Sequence, residues 1–162
     1  MENVIKLNRD DILRLRIVTD QGEDTKEYLE FDLQDIELPL KYQELLEKDK
    51  KNRENLRNQC LIIDKRQDVK GKKLFSKNEE DKIRAIADFF RKEVEIYNTF
   101  LGEHGVQKLL HGRKIGWTSL ADIDEIIEKQ IAPHIKIDMD NITKKVKEKY
   151  GQSVKRSNEV LK

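Results

Sequence analysis

The feature that most restricts the fold is a helical repeat of apolar residues in the middle of the chain. Between Ser76 and Gly102, apolar side chains recur at spacings of three and four residues, which places them on one face of an α-helix. Ser76 and Glu79 form a Ser-x-x-Glu capping box at the start, and Gly102 suits the end. We therefore predict one long helix here, with Phe90 and Val94 in the core. The full stripe is Ile83, Ile86, Ala87, Phe90, Val94, Tyr97 and Leu101.

Two short stretches near the N-terminus show a different period. Apolar residues alternate with arginines in the first stretch and with acidic residues in the second, so each stretch has one apolar face. Residues 19–25 between them are polar and suit a turn. We predict a β-hairpin, which is marginal alone in water, so its apolar face must pack on the helices or on another chain. The apolar members are Leu13, Leu15, Ile17, Leu29, Phe31 and Leu33.

Pro39 is placed to start a helix that follows the hairpin. Apolar residues keep helical spacing from Leu40 to Ile63, except that residues 47–55 are all polar. The pattern predicts either one helix with a solvated middle or two helices that meet near residues 49–52.

The remaining third of the chain predicts three further helices. A short one surrounds residues 106–110 and ends at Gly112, and a loop covers residues 113–117. A capping pair, Ser119 and Asp122, begins the next, which Pro133 closes. The last begins near Asp138 or Asp140 and ends at Gly151. The apolar stripe of the second is Leu120, Ile123, Ile127 and Ile131, and that of the third is Ile142, Val146 and Tyr150.

These elements predict a mainly α protein with a short N-terminal β-hairpin, an α+β arrangement with a bundle of four to six helices. We expect residues 1–37 to form a hairpin segment packed on the same domain, residues 38–150 a helical domain, and residues 151–162 a frayed tail.

Charge is dense but balanced. Charged residues make up 40% of the chain, yet the net charge is only +1, which is typical of solvated helix faces. Residues 20–47 hold ten acidic and two basic residues, a net of −8, and residues 48–77 hold eleven basic and four acidic residues, a net of +7. The two segments could neutralise each other by packing together, or could join copies of the chain head to tail. Alternatively, the basic stretch 65–77 could bind nucleic acid.

The sequence offers little for catalysis or metal binding. The single Cys60 excludes an internal disulfide, and its apolar run predicts a buried structural thiol. The three histidines have no carboxylate or cysteine at metal-ligand spacing. Residues 138–141 begin like a calcium loop, but Thr143 and Lys149 stand where Gly and Glu are needed, so N-capping is the better interpretation. The histidines are His104, His111 and His134.

Four glycines, at positions 102, 105, 112 and 116, lack the Gly-Lys-Ser/Thr ending of a phosphate loop. We therefore predict a non-enzymatic protein that needs no metal and no cofactor. No apolar stretch is long enough to span a membrane, and the N-terminus lacks the apolar core of a signal peptide, so we expect a cytoplasmic protein.

Two segments resemble the tail assembly chaperones of long-tailed bacteriophages and prophages. One is the hairpin with Tyr-Leu-Glu-Phe-Asp-Leu at 28–33, followed by a helix. The other is residues 94–110, a helix that ends in a bulky residue and a glycine, followed by a short helix, a loop and a further helix at 120–131. The chain departs from that family in its charged stretch at 47–77 and in the helix after Pro133.

The resemblance implies a protein of the bacterial host cytoplasm that binds the tail tube and tape-measure proteins and prevents their premature polymerisation. It carries no catalytic residues to this chain. We predict a contact surface split between the hairpin and the loop at 114–117, where Trp117 either caps the core or anchors a partner. The alternative function is a nucleic-acid-associated regulator of a phage or mobile element that uses the basic stretch 65–77. The predicted contact residues are Leu13, Leu15, Ile17, Leu29, Phe31, Ile115 and Trp117.

Overall fold

The computed structural model of the chain describes residues 1–7, 11–135 and 142–149, and it is 61% helical. An N-terminal antiparallel hairpin precedes the helices, which confirms the predicted fold class. Residues 142–149 are also helical. In chain order, the elements are β1 (Ile12–Val18), β2 (Asp24–Asp32), α1 (Leu38–Lys65), α2 (Lys77–Leu101), α3 (Gly105–Leu110), α4 (Trp117–Ile126), a π-helical segment (Ile127–Ile131) and α5 (Ala132–Ile135).

The hairpin sorts its side chains by face, as the alternation requires. Leu15 lies opposite Leu29 on the apolar face, and Arg14 lies opposite Glu30 on the other face. Arg14 pairs with Glu30 at 3.1 Å, and its guanidinium lies 3.9 Å from the centre of the Tyr28 ring. The apolar face packs on the helices of the same chain, because Leu29 is buried and joins the common hydrophobic core.

Helix α1 is continuous from Leu38 to Lys65, with Pro39 in its first turn. Its 28 residues make a helix of about 42 Å. The two-helix alternative is therefore wrong. The polar middle is not fully solvated either, because Asn52 is only 6% exposed and packs against α2.

Helix α2 begins with the predicted capping box. The Glu79 amide donates to Ser76 Oγ, and the Ser76 amide donates to Glu79 Oε1, both at 3.2 Å. The buried face, however, is displaced from the predicted stripe. Phe90 and Val94 are only half-buried, and Ile83 is exposed. The buried residues are Phe89, Glu93, Ile96, Tyr97, Phe100 and Leu101. The prediction missed this face because it runs through a glutamate, which is rarely fully buried.

Helix α4 begins earlier and continues further than predicted. Its first residue is Trp117, and the Gly116 amide donates to Ser119 Oγ at 2.8 Å, so Ser119 lies in the first turn and is not the N-cap. The apolar stripe is confirmed, since all its members are at most 3% exposed. Pro133 does not end the helix. The π-helical segment ends two residues before Pro133. Its wider turn accommodates a proline, which lacks an amide proton and crowds the preceding turn of a helix.

Three further predictions concern the C-terminal part and Cys60. Within residues 142–149, Ile142 is half-buried and Val146 is exposed. Outside the described residues lie both predicted ends of the last helix, the calcium-like segment 138–141 and the tail 151–162. Residues 143–149 of that helix are described, and they are exposed. Cys60 is a free thiol that is partly exposed, so the prediction of a buried structural thiol is wrong in its burial.

The core lies where the hairpin, the first part of α1, the second part of α2, and α3 to α5 meet. The other halves of α1 and α2 form an antiparallel pair. There the Asn78 side-chain amide donates to the carbonyls of Ile63 and Arg66, each at 3.1 Å. Across residues 1–7, 11–135 and 142–149, no helix has both the length and the apolar character needed to cross a bilayer.

The acidic and basic segments do not neutralise each other through direct ion pairs. Among the ion pairs of the described residues, only Glu44–Lys48, at 2.7 Å, joins residues 20–47 to residues 48–77. The basic segment instead binds the start of α2, where Asp81 accepts from Arg66 at 2.9 Å and from Lys77 at 3.1 Å. The prediction that the acidic and basic segments neutralise each other is therefore wrong as far as direct ion pairs are concerned.

Candidate functional site: a groove beside β1

A groove of about 730 Å³ lies between the hairpin and the α3–α4 region. Its floor is apolar and its rim is charged. The floor is formed by Leu15, Ile17, Leu29, Leu109, Leu110, Ile123 and Ile126. The rim is formed by Arg16, Asp20, Arg113, Lys114, Asp122, Glu125 and Lys129. An apolar floor with a polar rim is the usual composition of a protein-binding groove.

One backbone edge of β1 borders this groove. The four consecutive residues 15–18 all line it, although successive side chains of a strand point to opposite faces. From this run of consecutive lining residues we infer that the edge of the strand borders the groove. Within the described part of the chain the sheet has two strands, so β1 has no strand partner on this side.

The outer edge of β2 borders a smaller groove of about 490 Å³, which differs in character. Charged residues dominate its lining, and Lys108 Nζ lies 3.5 Å from the Tyr28 carbonyl oxygen. A lysine beside a strand carbonyl occupies an acceptor that an incoming strand would use. The β1 groove is therefore the better site for an apolar extended segment.

Two left-handed residues shape the wall of the β1 groove. His111 and Gly112 follow α3 with φ angles of 47° and 83°, and they turn the chain toward α4. Leu109 and Leu110, just before this turn, contribute to the floor. Arg113, just after it, pairs with Asp20 of the hairpin turn at 3.0 Å. Both partners are exposed, so this pair orients the rim but adds little stability.

Gly105 allows α3 to approach the rest of the core closely. A Cβ atom at this position would lie 2.5 Å from Leu101 Cβ and 3.6 Å from Leu29 Cδ2. Only glycine fits at such a distance without a shift of the backbone. The close approach holds α3, and hence the groove floor, against α2 and the hairpin.

The structure places the predicted contact residues in two separate regions. Ile17, Leu29 and Phe31 are buried in the core, where the Phe31 ring lies 5.5 Å from that of Phe100. Leu13 and Leu15 are half-buried against that core. Three of the five hairpin residues, Leu15, Ile17 and Leu29, line the groove.

Trp117 and Ile115 do not line the β1 groove. Ile115 is half-buried against the core. Trp117 is 53% exposed, yet its ring stacks on Phe89 at 5.3 Å and meets the edge of Phe90 at 4.7 Å. Trp117 therefore covers the core and also presents an aromatic surface to solvent.

Sequence reasoning missed the α3 and α4 walls of the groove. Two adjacent apolar pairs, Leu109–Leu110 and Ile126–Ile127, carried a usable signal. Neighbouring residues on a helix point about 100° apart, so both members of a pair cannot lie at the centre of one buried face. Ile127 is buried, and Ile126 faces the groove.

No cluster of three or more histidine, cysteine, aspartate or glutamate side chains within the described ranges is arranged to hold a metal ion. No family model matches the chain, and comparison with curated proteins and with solved structures gives no significant match.

Proposed function

We propose that this chain is a non-enzymatic protein that binds an extended segment of another protein, in the manner of a phage tail assembly chaperone. The observation that carries the proposal is the open edge of β1 beside an apolar-floored groove of about 730 Å³. The resemblance of residues 28–33 and 94–110 to that family suggests tail tube and tape-measure proteins as partners.

Strand addition supplies a physical mechanism. An extended peptide can add to an exposed sheet edge, where main-chain hydrogen bonds give affinity and side-chain pockets give selectivity. The seven residues of β1 provide an edge of about 23 Å. Tube subunits have strand edges that must stay unpaired before assembly, and covering such an edge would delay polymerisation.

Co-expression with a tail tube protein and a tape-measure protein of a long-tailed phage tests the proposal. The groove variant is Ile126→Arg, because Ile126 lies half-buried in the floor and arginine can keep its charged end in water. The matched control is Ile62→Arg on α1, where the isoleucine is exposed and outside the groove.

We expect the wild type and the Ile62→Arg variant to capture one of the two proteins, and the Ile126→Arg variant to capture at least about tenfold less at an unchanged melting temperature. Removal of a central interface contact typically has an effect of this size. Failure of the wild type to capture either protein would refute the tail assembly role. Equal capture by all three chains would refute the groove as the site.

A second candidate is a nucleic-acid-associated regulator that uses the connection between α1 and α2. The observation in its favour is that Lys70, Lys72 and Lys73 are all exposed there. Arg66 in this connection and Lys77 at the start of α2 are already bound to Asp81, and Lys73 lies 3.8 Å from Glu80. The positive charge that remains for phosphates is therefore small, and we rank this function second.

A further inference from the structure

A fully buried carboxyl group lies between α1 and α2, outside the β1 groove. Glu93 is 0% exposed and belongs to the buried face of α2. Its Oε1 atom accepts from the Asn52 side-chain amide at 2.8 Å, and that amide also donates to the Phe89 carbonyl at 3.2 Å. Its Oε2 atom is buried and receives no hydrogen bond from a described donor. A buried acceptor without a donor is costly, so the state of Oε2 needs a physical explanation.

A second carboxyl group supplies that explanation. Asp49, three residues before Asn52 on the same face of α1, has its carboxyl group within interaction range of the Glu93 side chain. Two carboxyl groups can share a hydrogen bond only when one of them carries a proton. Both oxygens of Asp49 accept from Arg53 Nε, at 2.9 and 3.1 Å, as a carboxylate does. The proton is therefore assigned to Glu93, where it would allow Oε2, the oxygen without a donor, to donate to Asp49.

The surroundings of the pair extend to α4. Arg53 also contacts Asp124 at 3.3 Å, and Asp124 accepts a hydrogen bond from the Tyr97 hydroxyl. The groups that act directly on Glu93 are thus Asp49, Asn52 and Arg53 from α1. Glu93 in turn acts on the Tyr97 hydroxyl of α2, and Asp124 of α4 interacts with Tyr97, Arg53 and Asp49. Arg53 is the one cation of this described cluster, and it already binds two carboxylates.

We propose that the Asp49–Glu93 pair makes the contact between α1 and α2 depend on a proton. The contact is tight while the two carboxyl groups share one proton, and it loosens when that proton is lost. Ionisation of Glu93 would place a second negative charge beside Asp49 in a buried position. The charge can be relieved only by water that enters between the helices, which loosens the α1–α2 contact around Asn52 and Phe89.

Burial and the hydrogen bond with Asp49 raise the pKa of Glu93 to about 8. The unfolded chain releases this proton above about pH 4.5, whereas the folded chain retains it to about pH 8. The free energy of unfolding therefore falls as pH rises through this interval, because unfolding releases the proton. Above about pH 8 this fall levels off, since the folded chain has lost the proton as well.

The test compares the wild type with Glu93→Gln, which keeps the acceptor for Asn52 and offers Asp49 a permanent N–H donor. Glu95→Gln, an exposed position on the same helix, is the matched control. Chemical denaturation from pH 5 to 9.5 gives the unfolding constants, ¹³C NMR follows the Glu93 carboxyl carbon, and amide exchange follows α1 and α2.

We expect the unfolding constant of the wild type, relative to Glu93→Gln, to rise by up to about tenfold per pH unit between about pH 5 and 8, since one proton is linked to unfolding. Glu95→Gln should follow the wild type. Exchange of α1 and α2 amides should accelerate above pH 8 in the wild type beyond the acceleration in Glu93→Gln.

Parallel curves for the wild type and Glu93→Gln, or titration of Glu93 near pH 4.5, would overturn the proposal. Should Glu93→Gln fail to fold, Asp49→Asn provides the second test. Removal of the neighbouring carboxyl should lower the midpoint at which the Glu93 carboxyl titrates, and an unchanged midpoint would also overturn the proposal.

Discussion

Phe89 and Phe90 of α2, on which the Trp117 ring of α4 packs, show how burial separates neighbouring positions on one helix. Phe89 is 3% exposed and contacts both of the others, whereas Phe90 is only half-buried. Truncation of a buried phenylalanine leaves a cavity in addition to the loss of apolar transfer energy. The two adjacent phenylalanines should therefore respond differently to the same substitution.

Phe89→Ala should lower the free energy of unfolding by about 3–5 kcal/mol, the usual effect for a fully buried phenylalanine. Phe90→Ala should lower it by clearly less, because part of this ring already contacts water. Urea denaturation of both variants measures the difference. A larger loss for Phe90→Ala than for Phe89→Ala would contradict the placement of the buried face.

Trp117→Ala should lower the free energy of unfolding by about 1–3 kcal/mol, since it removes two ring contacts of about 0.5–1.5 kcal/mol each. Capture of a partner through the β1 groove should persist, because Trp117 does not line that groove. Thermal melts and co-purification measure the two effects separately. Loss of capture with an unchanged melting temperature would instead support the prediction from sequence that Trp117 is a partner anchor.

The β1 strand pairs with β2 along one edge and, in the proposed function, binds a partner along the other edge, and proline substitutions can separate these two roles. Residues of an antiparallel pair alternate between positions that exchange hydrogen bonds with the partner strand and positions that do not. Along β1, one of the consecutive residues Leu15 and Arg16 therefore donates its amide to β2, and the other directs its amide outward.

We expect one of the variants Leu15→Pro and Arg16→Pro to destabilise the hairpin and the other to fold normally but to lose partner capture. A proline whose missing amide faces outward is tolerated in an edge strand, but it cannot donate to an added strand. Circular dichroism melts and co-purification distinguish the two. Normal capture by the proline variant that folds normally would exclude strand addition at this edge.

The success of the sequence predictions differed from element to element for physical reasons. The hairpin alternation, the Ser76 capping box and the stripe on α4 are local signals, and the structure confirms all three. The continuity of α1 through residues 47–55 and the burial of Glu93 depend on α1 and α2 packing together, which periodicity does not encode. The groove joins β1 to residues about 100 positions later, so no local pattern could have placed its walls together.

Across the whole molecule, residues of opposite charge are concentrated toward the two ends of α1. The acidic residues gather around the hairpin and the start of α1, and the basic residues around the end of α1 and its connection to α2. Direct ion pairs between these segments are almost absent from the described residues, and the basic end instead pairs in part with the acidic start of α2. The basic end is the surface on which the nucleic-acid alternative depends.

We predict no salt-sensitive binding to duplex DNA at physiological ionic strength. Phosphate binding releases counterions, so a true DNA contact would weaken steeply as salt rises. Fluorescence anisotropy over a range of salt concentrations, with a variant in which Lys70, Lys72 and Lys73 are replaced by glutamate, measures this directly. Submicromolar binding that falls with salt and disappears in the variant would place the nucleic-acid function first.

The proposed partner-binding site is the open edge of β1 together with the adjoining groove. Amide hydrogen exchange can be compared between the captured complex and the free chain. We expect new protection at the outward-facing amides of β1 and around Ile126 on α4, with little change at Trp117 or in residues 66–76. Protection confined to Trp117 or to residues 66–76, with β1 unchanged, would rule out this site.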